Sequence, residues 1–237
     1  MPMKATGRAT DFAEIDRFDD GVGWIAHPDE AMQRASHALR VPADDPGTDE
    51  ASGGAASAAD GDVWVVDPVD ADGVDDLFAE FGEVQGVVVL MDRHGRDAAA
   101  VAERHDVPIH VPSFVDPGID ARTQPVTGEL PGTDFEVVRT VDWPGWDEAA
   151  LYDGETLVVG DALGTAQYFT TGDERVGVHP MLRVKPPNAL EQFEPERILV
   201  GHGEGVMDDA SSALEYALDG ARRRAPKAWL EAVRSMV

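Results

Sequence analysis

Between residues 87 and 111 the chain reads VVVLMDRHGRDAAAVAERHDVPIHV, an apolar run that meets Asp92, Arg93, His94, Arg96 and Asp97 before a helical pattern resumes. In open α/β sheets ligands sit outside the carboxyl ends of strands, so this knot of titratable groups is a candidate site. It is equally suited to a solvated turn, because most surface carboxylates do no more than face water. A second stretch, GVHPMLRVKPP, places His179 near Arg183 and Lys185 in a locally basic patch. That patch could hold a small anionic ligand or pair with acidic neighbours. His37, His105 and His110 fall on strands and a helix end and read as structural or surface residues.

The elements that must position these groups are short. HALRV and GDVWVVDPVD read as two strands meeting across VPADDPGTDEASGGAASAAD, residues 41–60, which is too small and acidic to offset its ordering entropy and reads as a flexible loop. Val74, Leu77, Phe78 and Phe81 recur at helical spacing with Asp72 as the expected N-cap. A strand over Val87 to Leu90, a helix over about 97–105 and a strand in VPIHVP follow. The second half is richer in strands: FEVVRTVDW, AALYDGETLVVGDAL with a hairpin signal at YDGET, and ERILVGHG. The C-terminal segment reads as a helix from near Asp209 to Arg223, where ARRR at 221–224 suits the helix dipole. Pro226 is expected to break it before a last short helix.

Composition narrows the function classes. In 237 residues, 46 acidic and 19 basic side chains give a formal charge of −27, which repels nucleic acid and anionic membranes, so neither is an expected partner. Only Lys4, Lys185 and Lys227 are lysines, and this Asp-rich, Arg-over-Lys balance resembles the proteins of salt-accumulating halophilic archaea. Dilution below about 0.1 M salt is expected to destabilise such a chain. The lack of cysteine excludes disulfides, thiolate metal sites and a cysteine nucleophile. No apolar run approaches the roughly 18 residues of a membrane span, and the N-terminus lacks a signal-peptide core, so a cytoplasmic protein is expected. A phosphate-binding loop and a G-x-S-x-G nucleophile elbow are both missing.

The order of motifs resembles the metallo-β-lactamase-like hydrolase superfamily from about Phe18 to the C-terminus. VWVVDPVD with Asp67 resembles the family's strand and turn Asp. D-R-H-G-R-D, Asp92 to Asp97, occupies the slot of its H-x-H-x-D-H loop, GETLVVGDALG places Asp161 as the metal-bridging Asp, and PERILVGHGEGV places His202 as the last ligand. The resemblance implies one domain over 1–237 with an α/β fold, a four-layer αββα sandwich with mixed sheets.

It also implies a metal site at Asp92, His94, Asp97, Asp161 and His202, with departures from the family pattern. Asp92 stands for the first His and Asp97 for the last, Arg96 replaces the Asp, and Trp146 follows Pro144-Gly145 where a His is usual. Indole has no lone pair for a metal, and a guanidinium is repelled by one. Arg96 is therefore expected to replace the cation, pairing with Asp161 and Asp97. The sequence points to a non-catalytic protein without a cofactor, serving binding or stability. Its rival is a hydrolase of an ester, lactone or phosphoester with a rearranged mononuclear site holding zinc or another divalent metal. An unrelated α/β binding protein is the third alternative.

Overall fold

The computed structural model describes residues 2–42 and 61–235. The predicted loop over 41–60 lies outside the described residues except for Val41 and Pro42, which end a strand.

Alternation of side chains builds the layers. In β4 (Gly61–Val66), Val63 and Val65 face one core while Trp64 and Val66 face another. β10 (Thr156–Val159) and β13 (Arg197–Val200) divide in the same way: Val158 and Leu199 join the Trp64 core, and Leu157, Val159, Ile198 and Val200 face a third. Strands buried on both faces need a cover on each side. The first cover is α1 (Val74–Ala79) and α2 (Ala98–His105), packed on the Val63 side, and the second is α3 (Ala210–Ser235), packed on the Leu157 side. The two sheets meet across the core of Leu39, Trp64, Val88, Leu90, Leu151 and Leu199. The result is a four-layer αββα sandwich.

The first sheet is ordered β1-β2-β3-β4-β5-β6-β7. Its members are β1 (Ala13–Phe18), β2 (Gly21–Ile25), β3 (Ala35–Pro42), β4, β5 (Glu83–Val88), β6 (Ile109–Pro112) and β7 (Thr123–Val126). β1 to β4 form an antiparallel meander, and β4 to β7 are parallel. The second sheet is ordered β13-β10-β9-β8, with β8 (Glu136–Trp143) and β9 (Trp146–Tyr152). A small ribbon of β11 (Leu163–Gly164) and β12 (Gly177–Val178) sits beyond β10. The β9–β10 hairpin forms at YDGET, where Asp153 Oδ1 accepts from the Glu155 and Thr156 amides at 2.9 and 2.6 Å.

Three expectations need correction. Helix α1 is entered through Gly73 in a left-handed conformation (φ 85°), and Asp72 is not its cap because its carboxylate pairs with Arg8 at 2.9 Å. Strand β5 covers Glu83–Val88 instead of starting at Val87, since its polar residues Glu83 and Gln85 hide the strand from an apolar-run reading. Pro226 does not end the last helix; α3 runs unbroken through it. A proline inside a helix costs about 3 kcal/mol. Burial of Ala221, Ala225, Ala228 and Ala232 along one face, and the Trp229 Nε1 bond to the Pro180 carbonyl at 2.7 Å, offset that cost. Among the described residues no helix is long and apolar enough to cross a membrane.

Candidate functional site

The carboxyl ends of β4, β5, β10 and β13 open toward one end of the sandwich, and the loops that follow them carry Asp67, His94, Asp161 and His202. Among the described residues, His94, Asp161 and His202 form the group able to hold a metal ion, with ligand atoms within 4.8 Å of one another. Close approach explains the small residues beside them. A Cβ on Gly201 would lie 3.0 Å from His94 Cε1 and from the Gly160 carbonyl, and one on Gly203 (φ 93°) would strike Thr165 Oγ1 at 2.2 Å. Asp67 and Arg96 hold left-handed backbones, φ 47° and 36°, that non-glycine residues adopt rarely. Both bends aim side chains at the cluster.

Hydrogen-bond directions fix most of the protons. His202 Nδ1 lies 2.7 Å from the Met32 carbonyl, which only accepts, so Nδ1 carries the hydrogen. His94 Nδ1 lies 2.7 Å from Asp67 Oδ2, while Asp67 Oδ1 accepts from the Leu90 amide at 2.9 Å, so this Nδ1 is also the donor. Both Nε2 atoms then point at one oxygen, Asp161 Oδ1, at 3.0 Å from His94 and 2.8 Å from His202. Burial pulls the His94 pKa down, yet Asp67 and Asp161 outweigh burial and the nearby Arg96, so the net shift is upward. Burial lowers the His202 pKa more than Asp161 raises it, which leaves a neutral ring facing a carboxylate with a lone pair. Asp161 itself, despite burial, is held well below the usual carboxylate range by His94 and His202.

Guanidiniums surround this cluster. Arg93 Nη2 meets Asp161 Oδ2 at 3.2 Å, and its guanidinium stacks 4.4 Å above the Trp146 ring. Arg96 is spent on backbone: Nη1 donates to the Ala35 and Asp67 carbonyls at 2.6 and 2.9 Å, and Nη2 to the Gly201 carbonyl at 3.1 Å. Its Nη2 also lies 3.1 Å from His94 Nε2. The expected pairing of Arg96 with Asp161 and Asp97 is therefore corrected. Three carbonyls at loop ends offer Arg96 a fuller set of acceptors than one carboxylate, and Arg93 reaches Asp161 from the open side.

The other positions drawn from the motif order do not join the trio. Asp97 Oδ2 accepts from the Asp70 amide at 2.9 Å, and Asp92 Oδ2 from the Asp147 amide at 3.3 Å, leaving Asp92 Oδ1 buried without a partner. Trp146 is buried, and its Nε1 donates to Glu148 Oε2 at 2.9 Å. Arg183, read as part of a basic patch, is fully buried against Glu174, so only Lys185 of that pair faces water.

Sequence reasoning gave no role to Glu148, Tyr168 or the Met32 carbonyl. Glu148 had a signal: a carboxylate next to the apolar run Ala149 to Leu151 in a core strand. Its carboxyl also accepts from the Ala162 amide at 2.8 Å, and its pKa is pushed up to about 8, first by burial and then by Asp161. His179 touches Trp146, Tyr168 and Phe169 with ring centroids 4.8, 5.4 and 5.4 Å away, and burial pushes its pKa down to about 4.

The donor chemistry of His94, Asp161 and His202, with each far imidazole nitrogen pinned by a carboxylate or a carbonyl, fits one zinc-type ion. Among the described residues no second group of ligands is gathered: Arg96 and Trp146 offer no lone pair, and Asp97 accepts from the Asp70 amide.

No protein-family model matches the chain, and no curated protein matches it in sequence. Solved structures do. TMB-1 superposes with a TM-score of 0.56 at 14% identity, over 93% of this chain and 99% of its own. The DIM-1 metallo-β-lactamase gives 0.55 at 14% identity, over 93% and 100%. A flavo-di-iron protein from Thermotoga maritima gives 0.57 at 14% identity, over 89% of this chain and 62% of that one. The likeness establishes a metallo-β-lactamase-type fold.

Proposed function

We propose that this chain keeps the framework of a metal-dependent hydrolase without its two-ion centre, and that it is non-catalytic, its old centre being a cluster neutralised from within. The observation that carries this reading is Arg96, anchored by three carbonyls within 3.1 Å of His94 Nε2. Asp67 and Asp161 are already balanced by Arg93, which pairs with Asp161, and by Arg96, which lies close to both. A divalent ion would leave uncompensated positive charge. Its repulsion from a guanidinium at about 4 Å is roughly 8 kcal/mol at an effective dielectric of about 20. The unmatched lone pairs of His202 and Asp161 cost about 1–3 kcal/mol, the usual penalty of an unmade buried hydrogen bond, so the metal-free state is favoured.

Elemental analysis of untagged protein, before and after incubation with excess zinc, tests this directly. Far less than one equivalent is expected, and near-stoichiometric metal that survives dialysis would overturn it. Arg96→Asp, which returns a carboxylate to the loop, is expected to gain zinc under the same conditions.

A second reading rests on one observation, the two imidazole Nε2 atoms converging on Asp161 Oδ1. A single ion there would satisfy every lone pair, and such an ion supplies an activated water for hydrolysis. On that reading His94 and His202 hold the ion, Asp67 and the Met32 carbonyl orient the rings, and Arg93 is the exposed cation beside it. It predicts that His202→Ala and Asp161→Ala each abolish metal content together with any ester or phosphoester hydrolysis.

A further inference from the structure

Around the mouth of the cluster stand three donors that the proposed function leaves unused. Arg93 commits only Nη2 to Asp161, so Nε and Nη1 remain available on a side chain that is 46% exposed. His179 Nδ1 accepts from the Met181 amide at 3.2 Å, so in the neutral ring the hydrogen sits on Nε2. That Nε2–H has no hydrogen-bond acceptor among the described residues, and neither does the Tyr168 hydroxyl.

These groups come from three separate loops and meet in one place. Arg93 follows β5, Tyr168 follows β11, and His179 follows β12, with its amide tied to the Ala162 carbonyl at 3.1 Å beside Asp161. The Tyr168 and His179 rings are in contact at 5.4 Å, and both residues feel the charges of Asp161 and Arg93. Beneath them, Trp146 supports both Arg93 and His179, and Phe169 packs against His179 and His202. The donors are thus held by packing, and their remaining hydrogens have no acceptor among the described residues. Among the described residues, Asp161 is the one carboxylate paired with Arg93.

We infer that Arg93, Tyr168 and His179 form a binding site for the oxyanion of a small molecule, a carboxylate or phosphate group. The guanidinium edge turned away from Asp161 keeps two N–H groups, one on Nη2 and one on Nη1 or Nε, that match two oxygens of such a group, and the phenol and imidazole N–H add two further donors. A neutral carbonyl offers fewer acceptor positions than these donors fill. This goes beyond the metal-free reading, because the donors lie outside the His94, Asp161 and His202 trio.

The test is isothermal titration calorimetry of the full chain at pH 7 and about 0.15 M salt, where the screening length is about 8 Å and the overall negative charge repels a ligand least at physiological strength. Benzoate and inorganic phosphate serve as separate probes, with metal content measured on the same samples. Saturable binding of one probe at one per chain is expected, benzoate identifying a carboxylate site and phosphate a phosphoryl site. Tyr168→Phe, which removes only a half-buried hydroxyl, should weaken it about tenfold or more, as should Arg93→Gln, since a hydrogen bond to a charged group is worth about 1.5–3 kcal/mol. No saturable binding of either probe by metal-free protein overturns this inference alone. Binding that survives Tyr168→Phe and Arg93→Gln but vanishes with a chelator overturns both it and the metal-free reading.

Discussion

Of the buried charge clusters among the described residues, the one around Glu174 and the one around Asp161 differ in kind. The Glu174 carboxylate receives Arg183 Nη1 and Arg224 Nε on one oxygen, at 2.8 and 2.6 Å, and Arg183 Nη2 and the Thr171 amide on the other, at 2.7 and 2.8 Å. Every proton there belongs to a group that only donates, so a single arrangement satisfies the carboxylate. At Asp161 the partners are imidazoles, whose protons can be lost, and both rings aim Nε2 at the same oxygen. The first cluster ties the 165–185 segment to α3 and can do little else. The second has protons that can move and donors at its edge that are unused, which is the chemistry of a site.

The contrast can be broken by substitutions that neutralise each carboxylate. Glu174→Gln should cost about 3–5 kcal/mol in urea unfolding, because it strands two buried guanidiniums. Asp161→Asn should cost about 1–3 kcal/mol, since Arg93 can turn to water and the imidazoles can settle as neutral rings. Equal losses would mean that the Asp161 cluster is as structural as the other.

Proton linkage sharpens the comparison. Glu148, with a folded pKa of about 8 against 4.5 for the unfolded group, holds a proton in the folded state that the unfolded chain has lost. Folding stability should therefore fall as pH rises through this window. His94, whose folded pKa is raised, acts in the same direction, whereas His179 and His202, whose folded pKa values are lowered, favour folding as pH rises toward 6.5. Between pH 6.5 and 8 the Glu148 contribution is about 2 kcal/mol, from about 1.4 kcal/mol per pH unit. Chemical denaturation at those two pH values checks the slope, and Glu148→Gln should flatten it. The smallest effect expected is general: with a formal charge of −27, Tm should rise by several degrees from dilute buffer to molar KCl as self-repulsion is screened. A Tm indifferent to salt would show that the acidic surface is no burden.

Much of the framework was legible because strands such as VWVV and TLVV are apolar on both faces and end in Asp or Gly turns. β1 and β2 were not singled out: AEIDRF is mostly polar, and GVGWI is cut by glycines that fit where Phe18, Ile15 and His37 press close. Motif order brought His94, Asp161 and His202 forward, and the fold draws those three together. It could not reveal that Arg93, not Arg96, reaches Asp161, because two guanidiniums three residues apart carry the same charge and only the left-handed backbone at Arg96 turns one inward. Nor could it separate Asp92 and Asp97 from the trio, since their partners are the amides of Asp147 and Asp70.

Trp146 has a use that its place at the start of β9 does not suggest. Its indole lies under the Arg93 guanidinium, donates to a carboxyl that changes charge near pH 8, and touches His179 edge-on. Any event at the mouth that moves Arg93, or any change in the proton on Glu148, alters the electric field across that ring. The chain thus carries its own optical probe, and emission from Trp146, separated from the other indoles by a Trp146→Phe control, would report occupancy and protonation of the cluster without a label.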